Sequence, residues 1–237
     1  MNPTFKKSMP YITALIIFVL LAVIYNSPVL QGKVIVAADH VQPRSAIQES
    51  LEYYEQTGNR TFWLNSMFSG MPNYQVGGGQ TLSEKVAAPV LNVLRWGHRN
   101  QILIVFFYFF AFFALMRSFK VNAWLSIVGA IAVAFSSYFF VIIAASHNGK
   151  TTSIIWTTVV LAGMMLVYRR KYFLGAITVM ISLLAGFTVH PQMSYYIGML
   201  IAFVFLAENF LASLFSEKLN TPAWFVFNEK FLTEAPL

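Results

Sequence analysis

From Gln101 to Leu214 the chain runs through apolar residues almost without interruption. Four short separators break the run: Arg117-Ser-Phe-Lys120, Ser146-His-Asn-Gly-Lys150, Arg169-Arg-Lys171 and His190-Pro-Gln192. A further apolar run, Tyr11 to Leu30, stands near the start, preceded by Lys6 and Lys7. A helix needs about 20 mostly apolar residues to cross the hydrocarbon core of a bilayer. Six stretches approach that length: Tyr11–Leu30, Gln101–Met116, Val121–Ala145, Thr151–Tyr168, Tyr172–Val189 and Met193–Leu214. The second is short and takes Arg95 to Asn100 as an interfacial lead-in. The expectation is an all-α integral membrane protein with about six transmembrane helices and a large helical outer loop between the first and second. Residues 1–30 then hold the cytoplasmic N-terminus and first span. Residues 31–100 form the outer loop and 101–214 a five-helix bundle. Residues 215–237 make a cytoplasmic interfacial tail carrying Trp224, Phe225, Phe227 and Phe231.

Composition agrees. Of 237 residues, 57% are hydrophobic and 11% charged, where soluble domains carry about 25% charged residues. That excludes a cytosolic enzyme or a disordered tail. With no Cys, disulfide and thiolate chemistry are excluded too. The net charge of +7 does not signal nucleic acid, because the basic residues sit in small groups between apolar runs, where the positive-inside rule places them.

With the N-terminus inside, the cytoplasmic segments hold Lys6, Lys7, Arg117, Lys120, Arg169, Arg170, Lys171 and Lys218. The short outer loops hold Lys150 alone. The expected location is therefore the inner membrane of a bacterium, multi-pass, with both termini of this chain cytoplasmic and the long loop outside. A cleaved signal peptide is the alternative for the first run, but its weak site, Val36-Ala37-Ala38, lies well past the apolar core.

The outer loop holds the richest chemistry. Asp39, the only Asp of the chain, follows the first span by about nine residues, with His40 beside it. A carboxylate there can act as a general base or as a hard ligand suited to a divalent cation. It can equally cap a helix starting at Gln42. Glu49, Glu52 and Glu55 mark a helix with a solvated face. Trp63, with Phe68, Met71 and Pro72, reads as a substrate-facing lip or as an aromatic anchor at headgroup level. Gly77-Gly78-Gly79 lacks the flanking strand and helix of a phosphate loop and reads as a link. A second group comes from the short outer loops: His147, Asn148 and Lys150 after the third span, and His190 and Gln192 after the fifth. A cation, two imidazoles and amides make a reasonable phosphate seat; ordinary polar residues in tight turns are the competing reading. Inside the spans no Asp, Lys or Arg falls near a centre, and Glu208 with Asn209 reads as snorkelling toward the inner surface.

The pattern Asp39-His-Val-Gln42-Pro43, then Trp63-Leu-Asn65-x-x-Phe68-x-Gly70-Met71-Pro72, resembles the bacterial YfhO-like membrane protein family. The segment His190-Pro-Gln192-x-x-Tyr195-Tyr196 is similar to that family as well. The resemblance covers the whole chain but only the N-terminal part of longer family members, so it implies a fragment. It implies a GT-C type glycosyltransferase architecture, with Asp39 as the acid of the first outer loop. It also implies a polyprenyl-phosphate sugar donor, an envelope acceptor and membrane lipids as partners. Asp39 is followed by His rather than a second acid, so no paired-carboxylate metal site is evident, and no cofactor is assigned. On this expectation Asp39 is catalytic, and His40, Trp63, His147, Lys150, His190 and Gln192 contact substrate. A lipid or sugar-lipid transporter and a non-catalytic membrane scaffold are the rival readings.

Overall fold

The computed structural model of the protein describes residues 3–33, 45–59, 61–73, 100–145, 147–187 and 191–219. Helices dominate: α1 (Pro3–Tyr25), a short α2 (Ser27–Leu30), α3 (Gln48–Thr57), α4 (Gln101–Ser118), α5 (Ala123–Ala134), α6 (Ser137–Ala144), α7 (Asn148–Tyr168), α8 (Tyr172–Phe187) and α9 (Pro191–Leu219). Two short strands, β1 (Trp63–Leu64) and β2 (Met71–Pro72), pair antiparallel between α3 and α4. By length and apolarity α1, α4 and α7 can each cross a membrane, and α5 with α6 adds a fourth span bent by 46°. α8 and the Tyr195–Phe210 stretch of α9 are apolar but shorter.

The helix ends follow local chemistry. The Asn100 side chain accepts from the Ile102 and Leu103 amides, and Asn122 accepts from the Trp124 amide, so α4 and α5 both start on an asparagine cap. α1 stops where Asn26 Nδ2 turns back to donate to the Ala22 carbonyl, with Pro28 just beyond. The helix therefore begins before and ends earlier than the apolar run Tyr11–Leu30, and Lys6 and Lys7 lie on it rather than ahead of it.

Ala14, Phe18 and Ala22, spaced four apart, put one face of α1 into the core. Phe18 stacks on Phe109 of α4 at 5.1 Å between ring centres and meets Phe113 edge-on at 5.8 Å. Tyr25 closes the other end of the same seam on Phe140 and Phe135. Such ring pairs add about 0.5–1.5 kcal/mol each beyond burial. Buried Ala111, Ala130 and Ala134 let the backbones come close. α8 packs on α7 more tightly still. A Cβ placed on Gly175 would stand 2.7 Å from the Val167 amide nitrogen and 2.8 Å from the Gly163 carbonyl oxygen. One on Gly163 would stand 3.0 Å from the Val179 amide nitrogen.

Hydrogen bonds fix which helix ends lie together. Arg117, at the end of α4, donates to the Tyr11 hydroxyl near the start of α1 at 3.0 and 3.2 Å. Arg169, just after α7, donates to the Ser118 carbonyl at 2.5 Å. The basic turns α4–α5 and α7–α8 thus share one end of the bundle. The starts of α4 and α7 share the other, joined where the Tyr108 hydroxyl donates to the Thr151 carbonyl at 3.2 Å.

Two differences from expectation concern the loop and the third run. Between α2 and α4 lies the expected helix with Glu49, Glu52 and Glu55, but also a β-hairpin, so among the described residues the fold is all-α apart from this element. Strand register pairs Trp63 with Pro72 and Leu64 with Met71. The hairpin turn carries three successive positive φ angles, at Phe68, Ser69 and Gly70. Gly70 cannot be replaced cheaply: at φ 117° its Cβ would meet Trp63 Nε1 at 2.7 Å. Asn73, 2% exposed, ties hairpin to helix by donating to Ser50 Oγ at 2.8 Å and the Thr61 carbonyl at 2.9 Å. Asn65 reaches Glu49 and Ser66 reaches the Ala46 carbonyl. The apolar run Val121–Ala145, expected as one helix, is broken at Phe135-Ser136, a place where serines let the backbone leave the helical ladder.

Candidate functional site

The candidate site is the start of α7. The first amides of a helix have no partner within it and carry the positive end of its dipole. Here they belong to Asn148, Gly149 and Lys150. The Lys150 ammonium lies 5.7 Å from the centre of the Tyr138 ring of α6, so its charge is held at this turn by a cation–π contact. The exposed His147 occupies the cap position and makes no side-chain cap bond. Its carbonyl accepts from the Thr151 amide and the Thr151 hydroxyl, both at 2.9 Å.

The next residues are polar and deep. Asn148, Thr151, Thr152 and Ser153 are all buried, and Gln101 is buried at the start of α4. Thr157, Thr158, Thr178 and Ser182 each donate back to the carbonyl four residues earlier. Thr152 Oγ1 and Ser153 Oγ make no hydrogen bond among the described residues. A buried hydroxyl left this way costs about 1–3 kcal/mol. The positive helix end and the Lys150 cation favour an anion, and the hydroxyls are donors beside it. Trp156 of α7 and Ile197 of α9 both close on Gly186 of α8, so the three helices meet about two turns past this start.

Of the residues named from sequence, His147 and Lys150 meet at this turn. Gln192 is exposed at the second position of α9, five residues ahead of Ile197. Trp63 is held in the hairpin by Gly70 and is about half exposed. Asp39, His40 and His190 lie outside the described residues, as do Gly77, Gly78 and Gly79. Among the described residues no group of three or more His, Asp or Glu is placed to hold a metal ion. Sequence reasoning missed the buried Thr151-Thr152-Ser153 run, Gln101, and the Tyr108 and Tyr138 partners. The three consecutive hydroxyls opening an otherwise apolar span were the signal available. Glu208 is half buried in α9, and among the described residues its Oε2 makes no hydrogen bond.

Comparison with known proteins finds no family model, no curated protein and no solved structure that matches the chain.

Proposed function

We propose that the chain is a membrane glycosyltransferase-like protein of GT-C type that works on the outer face of a bacterial inner membrane. It would move a sugar from a polyprenyl-phosphate donor to an envelope acceptor. The observation that carries this reading is the α7 turn, where a helix amino terminus, the Lys150 cation and buried hydroxyls come together at one bundle end. That arrangement suits the phosphate that leaves as the glycosidic bond forms. In this mechanism Asp39 accepts the proton of the acceptor hydroxyl as its oxygen attacks the anomeric carbon. The bond from that carbon to the phosphate oxygen breaks, and the departing charge falls to Lys150, His147 or His190. His40, Trp63 and Gln192 would contact the substrates. α8 and α9 complete six spans, with the basic turns cytoplasmic.

The test is transfer of labelled sugar from polyprenyl-phosphate sugars by membranes containing the protein. Asp39→Asn should lower transfer by about 10²–10⁴-fold, the usual worth of a positioned base, with membrane insertion unchanged. Full transfer by that variant would remove Asp39 from the mechanism.

A second reading, a lipid or sugar-lipid transporter, is favoured by one observation. The α5–α6 span is bent by 46°, and carriers commonly build their sites at broken helices. Movement of a fluorescent sugar-lipid across vesicles containing the protein, without sugar transfer, would select it.

A further inference from the structure

The tip of the β1–β2 hairpin is built against its own backbone preferences. The Gly70 amide donates to the Met67 carbonyl at 2.8 Å and closes a tight turn over Phe68 and Ser69. Both of these central residues take positive φ, 52° and 58°, the arrangement of a type I′ turn. Asn-Gly and Asp-Gly make that turn at little cost, because glycine and asparagine tolerate left-handed backbone. Phenylalanine does not, since its Cβ crowds the following carbonyl oxygen. A strained position of this kind persists only where something else compensates it. Burial of the side chain within the fold is not that compensation, because Phe68 is 84% exposed.

The rest of the hairpin is pinned in place and carries two more aromatic rings at its surface. Phe62 is 75% exposed and Trp63 about half exposed. Trp63 lies against Gly70, where a Cβ would meet its Nε1 at 2.7 Å, so the indole backs the turn. Leu64 is buried, and Ser66 and Asn73 hold the hairpin on α3. The three exposed rings therefore stand on a fixed base. Position narrows what can cover them. Ser45, where this unit begins, follows Lys33 by twelve residues, so the chain cannot carry it more than about 40 Å from the end of α2. That end lies just past α1, a helix able to cross a membrane. Exposed Phe and Trp at such a level are side chains that a bilayer interface takes up.

We propose that the hairpin tip is a membrane anchor: Phe68, with Phe62 and Trp63 of the same hairpin, dips into the interfacial layer of the bilayer surface at which α1 ends. Lipid then supplies the burial that the fold withholds from Phe68, and that burial offsets the strained turn. The anchor holds α3 at the membrane surface, and it stands whether or not the chain transfers sugar.

The experiment places one thiol in the full, otherwise cysteine-free chain and labels it with a fluorophore. The protein is reconstituted in phosphatidylcholine vesicles whose acyl chains are brominated near the headgroup. A label at Ser69→Cys should be quenched, and one at Glu52→Cys, exposed on α3, much less. Phe68→Asn beside the Ser69 label should leave the unfolding midpoint in detergent equal or higher, since asparagine suits this backbone. It should lower the ratio of inserted to free tip about tenfold or more, the share of one buried phenylalanine, and quenching should fall with it. Phe68→Trp should keep the quenching. If the Asn variant fails to fold, Phe68→Gly repeats the test, because glycine also suits positive φ. An unquenched label at Ser69, whether it reports water or a protein contact, overturns the proposal. Equal quenching at the two labels, or quenching that Phe68→Asn leaves unchanged, overturns it as well.

Discussion

Replacing Gly175 with alanine should loosen the α7–α8 pair although alanine is the better helix former. In isolation Gly→Ala in a helix gains about 1 kcal/mol. At Gly175 the new methyl would stand 2.6 Å from Val167 Cγ2, 2.7 Å from the Val167 nitrogen and 2.8 Å from the Gly163 oxygen. The valine methyl can rotate away; the nitrogen and oxygen belong to the α7 backbone and cannot. Relief requires the two helices to separate by several tenths of an ångström along a crossing that holds α8 to the bundle. Overpacking of this kind costs about 1–3 kcal/mol, so after the helix gain the net loss should be up to about 2 kcal/mol. Gly198→Ala is the matched control, because a Cβ there meets nothing within 4 Å and should be neutral or stabilising by up to about 1 kcal/mol. Unfolding in mixed micelles with increasing denaturing detergent reads both. Equal midpoints for the two variants would refute the claim that α8 is held by backbone proximity at Gly163 and Gly175.

Other predictions test separate parts. Asn73→Ala should cost about 1–3 kcal/mol of local stability by removing the donor to the Thr61 carbonyl and one of the two donors to Ser50 Oγ, read as faster proteolysis between residues 45 and 73. Gly70→Ala should push the Trp63 ring off its seat and shift the indole emission; an unchanged spectrum would contradict the packing. Glu208→Gln should leave detergent stability unchanged or raised, since its Oε2 atom is buried and makes no hydrogen bond among the described residues, and a buried charged group left so is costly. A clear loss would reveal a partner for Glu208.

The helices were largely legible because a span is written in apolar residues and ended by polar ones. The expected starts at Gln101 and Tyr172 and the end at Tyr168 coincide with the observed bounds. The bend at Phe135-Ser136 was not legible, since two serines and no proline leave an apolar run looking continuous. The hairpin was missed for a related reason. Its strands are two residues each, too short for alternation to show, and its turn relies on positive φ at Phe68 and Ser69, which neither residue type advertises. The Trp63-to-Pro72 pattern proved to carry a structural job, with Gly70 seating the indole and Asn73 pinning the hairpin on α3. At the site, His147 and Lys150 were readable as polar residues at a span start. The buried hydroxyls behind them were not, because Ser and Thr in a helix ordinarily satisfy themselves on the preceding turn. Only the packing shows that Thr152 and Ser153 do not.

The account rests on α7 crossing the membrane, with its polar start outside and its cationic end inside. The chain has no cysteine, so single introduced thiols report cleanly. His147→Cys and Lys171→Cys flank α7, and both positions are exposed. In intact cells an impermeant maleimide should label the thiol at 147 and reach the one at 171 only after permeabilisation. Labelling of both from the same side, or the reverse order, would contradict the arrangement on which the proposed site depends.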